Sequence, residues 1–175
     1  KSEFMDQDFK EEKTLDALPA YAEMFLNYFD SMYAHERTLR DTMFTNFSKW
    51  YGPKGMTVPH CTIDFRVGGK YLYCMQGPGF ESWLTGVYKE IVPMTKIVRT
   101  ESMADRQGNM LDPSTMQGMP LGWPTEMLVE LTFEDLGGKT RMTLHHIGMP
   151  AGEGREHASV GYNEAFDKLA QSLRS

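Results

Sequence analysis

Cysteine is scarce. Cys61 and Cys74 are the only two in 175 residues, too few for a disulfide framework. Both fall in stretches that read as strands, where a small buried thiol is ordinary, so a reducing, cytoplasmic setting is expected. No apolar run reaches the roughly 20 residues that a bilayer-spanning helix needs, and no signal peptide is recognised. Basic clusters are missing too. Eighteen Lys and Arg against 24 Asp and Glu give a net charge of -6, which argues against nucleic acid and against a membrane surface as partners.

The common catalytic and cofactor motifs are also absent. Gly138-Lys139-Thr140 resembles the end of a phosphate-binding loop, but Phe133 stands where that motif needs a glycine, and a strand follows instead of a helix. Gly77-Pro78-Gly79-Phe80-Glu81-Ser82 ends in serine where a dinucleotide fingerprint needs its last glycine. There is no G-x-S-x-G, H-E-x-x-H or C-x-x-C. His145-His146 is the one histidine pair, and neighbours on a strand point to opposite faces, a poor arrangement for one metal. No metal and no cofactor are expected, and no catalytic residue is assigned.

What remains is a chain of ordinary globular composition, 41% hydrophobic and 24% charged, enough for one domain with a sizeable core. Residues 1–4 before Met5 look like an expression remnant, leaving residues 5–175 as a single domain. A short first strand is expected over residues 9–16. Pro19 suits a helix start. Tyr21, Met24, Phe25, Tyr28, Phe29 and Met32 then recur at helical spacing, followed by Leu39, Met43, Phe44, Phe47 and Trp50.

Gly52-Pro53-Lys54-Gly55 ends the helical part. Alternation then predicts strands over residues 58–67, 70–76, 82–92, 96–103, 126–133 and 140–147, joined by short glycine turns, and hence an antiparallel sheet. Residues 104–124 are rich in Gly, Pro and Met without periodicity, and so long a loop is usually functional or disordered. A helix over residues 153–174 carries Ala158, Tyr162, Ala165, Phe166, Leu169 and Leu173 on one stripe. Gly161 sits in that stripe at a cost of about 1 kcal/mol relative to Ala, as close packing on another backbone would require.

Strand parity separates two faces. Met142, Leu144 and His146 share one face of the last strand; Val129, Leu131 and Phe133 share the inward face of its neighbour. Asp64 and Arg66 share a face, as do Tyr88 and Glu90. Pointing outward, Asp64 and Arg66 form a solvated ion pair worth little. Pointing inward, they need partners, for which Glu90 and Tyr88 are placed.

Five stretches in order resemble a known family. They are Lys49-Trp50-Tyr51-Gly52-Pro53-Lys54-Gly55, Asp64-Phe65-Arg66-Val67-Gly68-Gly69, Gly86-Val87-Tyr88-Lys89-Glu90-Ile91-Val92-Pro93, Thr132-Phe133-Glu134-Asp135 with Gly138-Lys139-Thr140-Arg141, and Gly161-Tyr162-Asn163-Glu164 with Asp167-Lys168-Leu169. Together they resemble the single-domain homologues of the activator of Hsp90 ATPase, in the START-like (SRPBCC) superfamily. The N-terminal third departs from that pattern: the distance from Asp16-Ala17-Leu18-Pro19 to Trp50 is longer by about one helix.

The resemblance implies an α+β helix-grip fold: a curved antiparallel sheet wrapped around a long C-terminal helix, N-terminal helices closing one end, and a cavity between sheet and helix. It implies no common catalytic set. The expected function is binding of a small hydrophobic molecule, with Phe65, Tyr73, Tyr88, Phe133, Met142, His146, Tyr162 and Phe166 as lining residues and the Met-rich loop as a lid. Asp64, Arg66 and Glu90 are the candidate polar groups. Two alternatives stand beside it. One is a protein-interaction module acting on a chaperone ATPase, or pairing with a second copy as a homodimer. The other is a cyclase or hydrolase in the same cavity, using His146, Glu90 or Asp64 as acid or base.

Overall fold

The computed structural model describes residues 9–15, 47–93, 95–137 and 139–172, with residues 9–15 described by backbone alone. The helix expected over residues 21–33 and most of the second helical run lie outside the described residues, as does Leu173. Residues 47–50 are helical and close the second run as its spacing predicted.

Seven strands follow the expected order: β1 (Phe9–Leu15), β2 (Thr57–Ile63), β3 (Lys70–Gly77), β4 (Phe80–Val92), β5 (Lys96–Ala104), β6 (Met127–Asp135) and β7 (Thr140–Ile147). They form one sheet in the order β1-β7-β6-β5-β4-β3-β2, with every neighbouring pair antiparallel. The hairpins β2–β3, β3–β4 and β6–β7 come from the glycine turns. Between β3 and β4 the loop is only Pro78-Gly79, with Gly79 at φ 70°, a conformation in which a side chain would be strained.

The C-terminal helix (Glu153–Ser172) starts after Gly152, whose carbonyl accepts from Arg155 and Glu156, and it carries Glu153 and Glu156 in its first turn, where negative charge favours a helix N-terminus. Gly161, Ala165, Phe166 and Leu169 are its buried face. That face lies on the concave side of the curved sheet, against Tyr73, Tyr88, Val129, Met142 and Leu144. Full burial of one such side chain stabilises by about 1.5–3 kcal/mol. No described helix is long and apolar enough to cross a membrane.

Two departures from simple alternation bear on function. First, β2 stops at Ile63, earlier than the alternation suggested. Residues 64–69 fold into a tight turn in which Gly69 N donates to the Arg66 carbonyl and Gly68 N to the Tyr88 carbonyl. A Cβ on Gly69 would stand 2.0 Å from the Asp64 carbonyl oxygen, so only glycine fits. Phe65 turns into the core at 2% exposure, whereas Val67 is exposed.

Second, β4 carries a bulge between Tyr88 and Glu90, which reverses parity beyond it. Tyr88 faces the core opposite Arg99, while Glu90 pairs with Val98 on the outer face. The expectation that Tyr88 and Glu90 share a face is therefore corrected: an extra residue, Lys89, separates them.

The two cysteines are free. Cys61 lies opposite Tyr73 and Cys74 opposite His60, so their side chains leave opposite faces of the sheet. Burial pushes the Cys61 thiol up to about 12, leaving it protonated and unreactive at neutral pH.

Candidate functional site

A cavity of about 320 Å3 lies between the sheet and the first half of the C-terminal helix. Ala165 borders its inner end, and beyond it Phe166 and Leu169 seal the second half of the helix against a filled core. On the helix side the cavity meets Gly154, His157, Ala158, Gly161 and Tyr162. On the sheet side it meets Tyr73, Met75, Ser82, Leu84, Glu101, Met103, Met127 and His146. Tyr51, Pro53, Met56, Phe80, Trp123 and Met149 close the edges.

The Trp50–Lys54 stretch holds the helix in place. The Pro53 ring lies 3.0 Å from where a Cβ on Gly161 would stand, so the glycine in the apolar stripe makes room for a proline ring instead of another backbone. Lys54 N donates to Glu164 Oε2 at 2.8 Å, and Lys168 Nζ donates to the Tyr51 carbonyl at 3.2 Å. Two stretches more than a hundred residues apart in sequence thus form one latch.

Most of the lining is apolar. The polar exceptions converge on one wall built around Arg99 and Glu101, residues two apart on β5 and therefore on one face. Both are buried, with side-chain exposures of 9% and 5%, and Arg99 Nη1 meets Glu101 Oε2 at 2.7 Å. Arg99 Nη2 donates to the Tyr51 hydroxyl at 3.3 Å; the Tyr51 and Tyr73 hydroxyls are 3.0 Å apart; Tyr73 donates to Glu101 Oε2 at 3.2 Å. The bonds close a ring. Arg99 also donates to the Tyr71 hydroxyl and stacks over the Tyr71 ring at 4.7 Å, while that hydroxyl donates to the Thr100 carbonyl at 2.6 Å. His146 continues the wall, its Nε2 3.9 Å from Glu101 Oε1 and its Nδ1 3.5 Å from the Tyr162 hydroxyl.

The charge states follow from this surrounding. Burial opposes ionisation of Glu101, but the adjacent Arg99 charge, helped by His146 and the hydrogen bonds, outweighs it and holds the carboxyl below its ordinary value. Burial raises Tyr51, Tyr73 and Tyr162, which stay neutral phenols. Burial also depresses His146 below 6.5, more than Glu101 raises it.

The depressed His146 carries a stability signature. A histidine whose folded pKa lies below its unfolded one takes up its proton first in the unfolded chain, so acid favours unfolding. Stability is expected to decline as pH falls below about 6.5. Replacing His146 with Gln should flatten that branch of the urea midpoint measured between pH 7.5 and 5.5. An unchanged slope would mean that His146 titrates as it does in the open chain.

Of the residues expected to line a cavity, Tyr73, His146 and Tyr162 do so. Phe65, Tyr88, Met142 and Phe166 are buried in the packed core, and Phe133 packs partly buried against it. The three candidate polar groups lie elsewhere. Asp64 and Arg66 pair with each other at 2.9 Å on the surface, where an ion pair contributes little, and Glu90 pairs with Lys96 at 3.0 Å on the outer face. The charged pair that does reach the interior, Arg99 and Glu101, was not singled out in the sequence. The signal was there: Ile97, Arg99, Glu101 and Met103 alternate on one strand, with two opposite charges between two apolar residues.

The long loop supplies one lining residue, and it is no methionine. Trp123 covers the start of the helix, with its ring 2.5 Å from where a Cβ on Gly154 would stand. The loop is shaped by Asp105, which accepts from the Gln107 and Asn109 amides, by a bridge between Ala104 and Met110, and by a short 3-10 helix at Pro113–Thr115 capped by Asp112. The lining methionines are Met56, Met75, Met103, Met127 and Met149; Met110 in the loop is exposed.

Solved structures share the fold. A protein from Chromobacterium violaceum superimposes with a TM-score of 0.66 at 21% identity, covering 98% of this chain and 99% of its own. One from Nitrosomonas europaea gives 0.63 at 16%, covering 97% and 96%. The AHSA1 protein from Silicibacter pomeroyi gives 0.62 at 18%, covering 95% and 97%. A comparison with curated proteins returns no match. Residues 42–174 match the family described as "Activator of Hsp90 ATPase homolog 1-like protein". The fold and that match over most of the chain agree with the order of motifs read in the sequence, and the chain belongs to this family.

Proposed function

We propose that the protein binds a small, mainly apolar molecule in the cavity between the sheet and the first half of the C-terminal helix. The observation that carries this reading is the cavity itself: about 320 Å3, walled by methionine, leucine and aromatic side chains with a few convergent polar groups. That volume lies at the small end of the range usual for ligand sites, about 300–1,000 Å3, and the mix of walls matches theirs. Five lining methionines suit a ligand of irregular shape, because the unbranched thioether side chain adapts to its neighbour. Activation of a chaperone ATPase, the alternative, rests on the family's description alone.

The neutral dye Nile red, whose emission rises in apolar surroundings, tests the proposal. Wild-type protein is expected to bind it saturably. Ala158→Phe, which fills the cavity from the helix, should weaken binding at least tenfold while leaving the thermal midpoint within a few degrees. Equal binding by wild type and variant, or none by wild type, would overturn the reading.

A further inference from the structure

The ligand's polar end can be specified further, on the reading that the cavity is a binding site. Among the polar groups of the inner wall, Glu101 is the one that is both charged and incompletely used. Its Oε2 accepts from Tyr73 and meets Arg99, whereas the only close partner of Oε1 among the described residues is His146 Nε2, at 3.9 Å. A buried carboxylate can accept about four hydrogen bonds, and leaving acceptor capacity unfilled away from water is costly. Glu101 is 4% exposed and lines the cavity, so a bound molecule that shields it from water is also the group that can reach Oε1.

We infer that the cavity selects a neutral amphipathic molecule, an alcohol or phenol on an apolar body, whose hydroxyl donates to Glu101 Oε1. One hydroxyl oxygen fits the 3.9 Å separation, close to Oε1 as donor and facing Nε2 of His146. Tyr51, Tyr73 and Tyr162 flank the same place and stay neutral. The positive charge on this wall, Arg99, is already engaged by Glu101, by the Tyr51 hydroxyl and by the hydroxyl and ring of Tyr71, and does not line the cavity. A carboxylate head would therefore meet an ionised Glu101 with no free cation among the described lining residues to offset the repulsion. An ester of the same length accepts but does not donate, and leaves Oε1 as it was.

Three probes with one chain length separate these cases: 1-decanol, methyl decanoate and decanoate, each competing against Nile red at pH 7.5. Decanol is expected to displace the dye at least tenfold more effectively than either of the others. In Glu101→Gln the carboxylate acceptor and its charge are gone, and decanoate should gain relative to decanol by at least fivefold. The probe ladder in wild-type protein stands by itself if that variant fails to fold. Equal displacement by all three would overturn the hydroxyl selection and leave apolar binding intact. Failure of Nile red and of every probe to bind would overturn the binding site itself, and the selection with it.

Discussion

Arg99→Met is expected to cost about 3–5 kcal/mol of folding stability, read from the urea midpoint at pH 7. Removing one member of a buried ion pair leaves the other charge uncompensated, and that is the usual magnitude. Glu101, 5% exposed, would keep the Tyr73 hydrogen bond and lose its cation. The pH dependence should also change sign. In the native protein the Glu101 carboxyl is held below its ordinary value. Its contribution is thus present above the unfolded pKa, near 4.5, and disappears as pH falls through the folded one. In the variant, burial, already the largest influence on this carboxyl, is opposed only by His146 and the Tyr73 hydrogen bond; the carboxyl should rise above the unfolded value, so mild acid relieves the cost. Arg99→Met with Glu101→Met should recover much of the loss, because two apolar side chains leave no orphan charge. A loss below about 1 kcal/mol would mean that water reaches the pair.

Gly86→Ala should cost about 3 kcal/mol or more, beyond the usual range for one added methyl. Gly86 lies opposite Tyr71 on the neighbouring strand. An added Cβ would stand 1.9 Å from the Thr100 carbonyl oxygen and 2.8 Å from Tyr71 Cε1. The bare backbone at residue 86 lets the Tyr71 ring lie across β4 and deliver its hydroxyl to the Thr100 carbonyl on β5, under the Arg99 guanidinium. Alanine there must part the strands or expel the ring, and either breaks the polar wall. Gly79→Ala is the matched control. Its added Cβ meets nothing within 4 Å, and its φ of 70° costs about 1–2 kcal/mol in backbone strain. Similar losses from the two would show that β4 and β5 yield easily.

Much of the architecture was legible because it rests on local periodicity. The turns at Gly68-Gly69 and Pro78-Gly79, the alternation of β6 and β7, and the stripe of the last helix each carry their own signal. The cavity was less legible for a physical reason. Parity tells which residues face inward but not whether the space in front of them is filled. Phe65 and Tyr73 both face in, yet Phe65 meets Tyr88 edge-on at 4.9 Å while Tyr73 borders open volume. The difference is where the helix draws away from the sheet, a property no single strand encodes. The charged pair was hidden by the habit of assigning charge to solvent. Arg99 and Glu101 go inward because each is the other's partner and three tyrosines satisfy the rest. The outward position of Glu90 depends on one bulge residue, which alternation alone does not announce.

The latch between Trp50–Lys54 and the last helix has a temporal side. Lys54 and Glu164 are 110 residues apart, and Lys168 and Tyr51 are 117 apart. The edge strand β1 likewise waits for β7. Contacts of such long range must await closure of large loops, which slows folding. On the ribosome, where the N-terminal part emerges first, hairpins β2–β3 and β3–β4 can pair early, with their apolar inner face of Tyr71, Tyr73, Leu84 and Tyr88 uncovered. Helix docking comes last and creates the cavity in the same step that removes this face from water. The hollow is thus the final product of folding, and in the interval before it closes the nascent sheet is at its most adhesive.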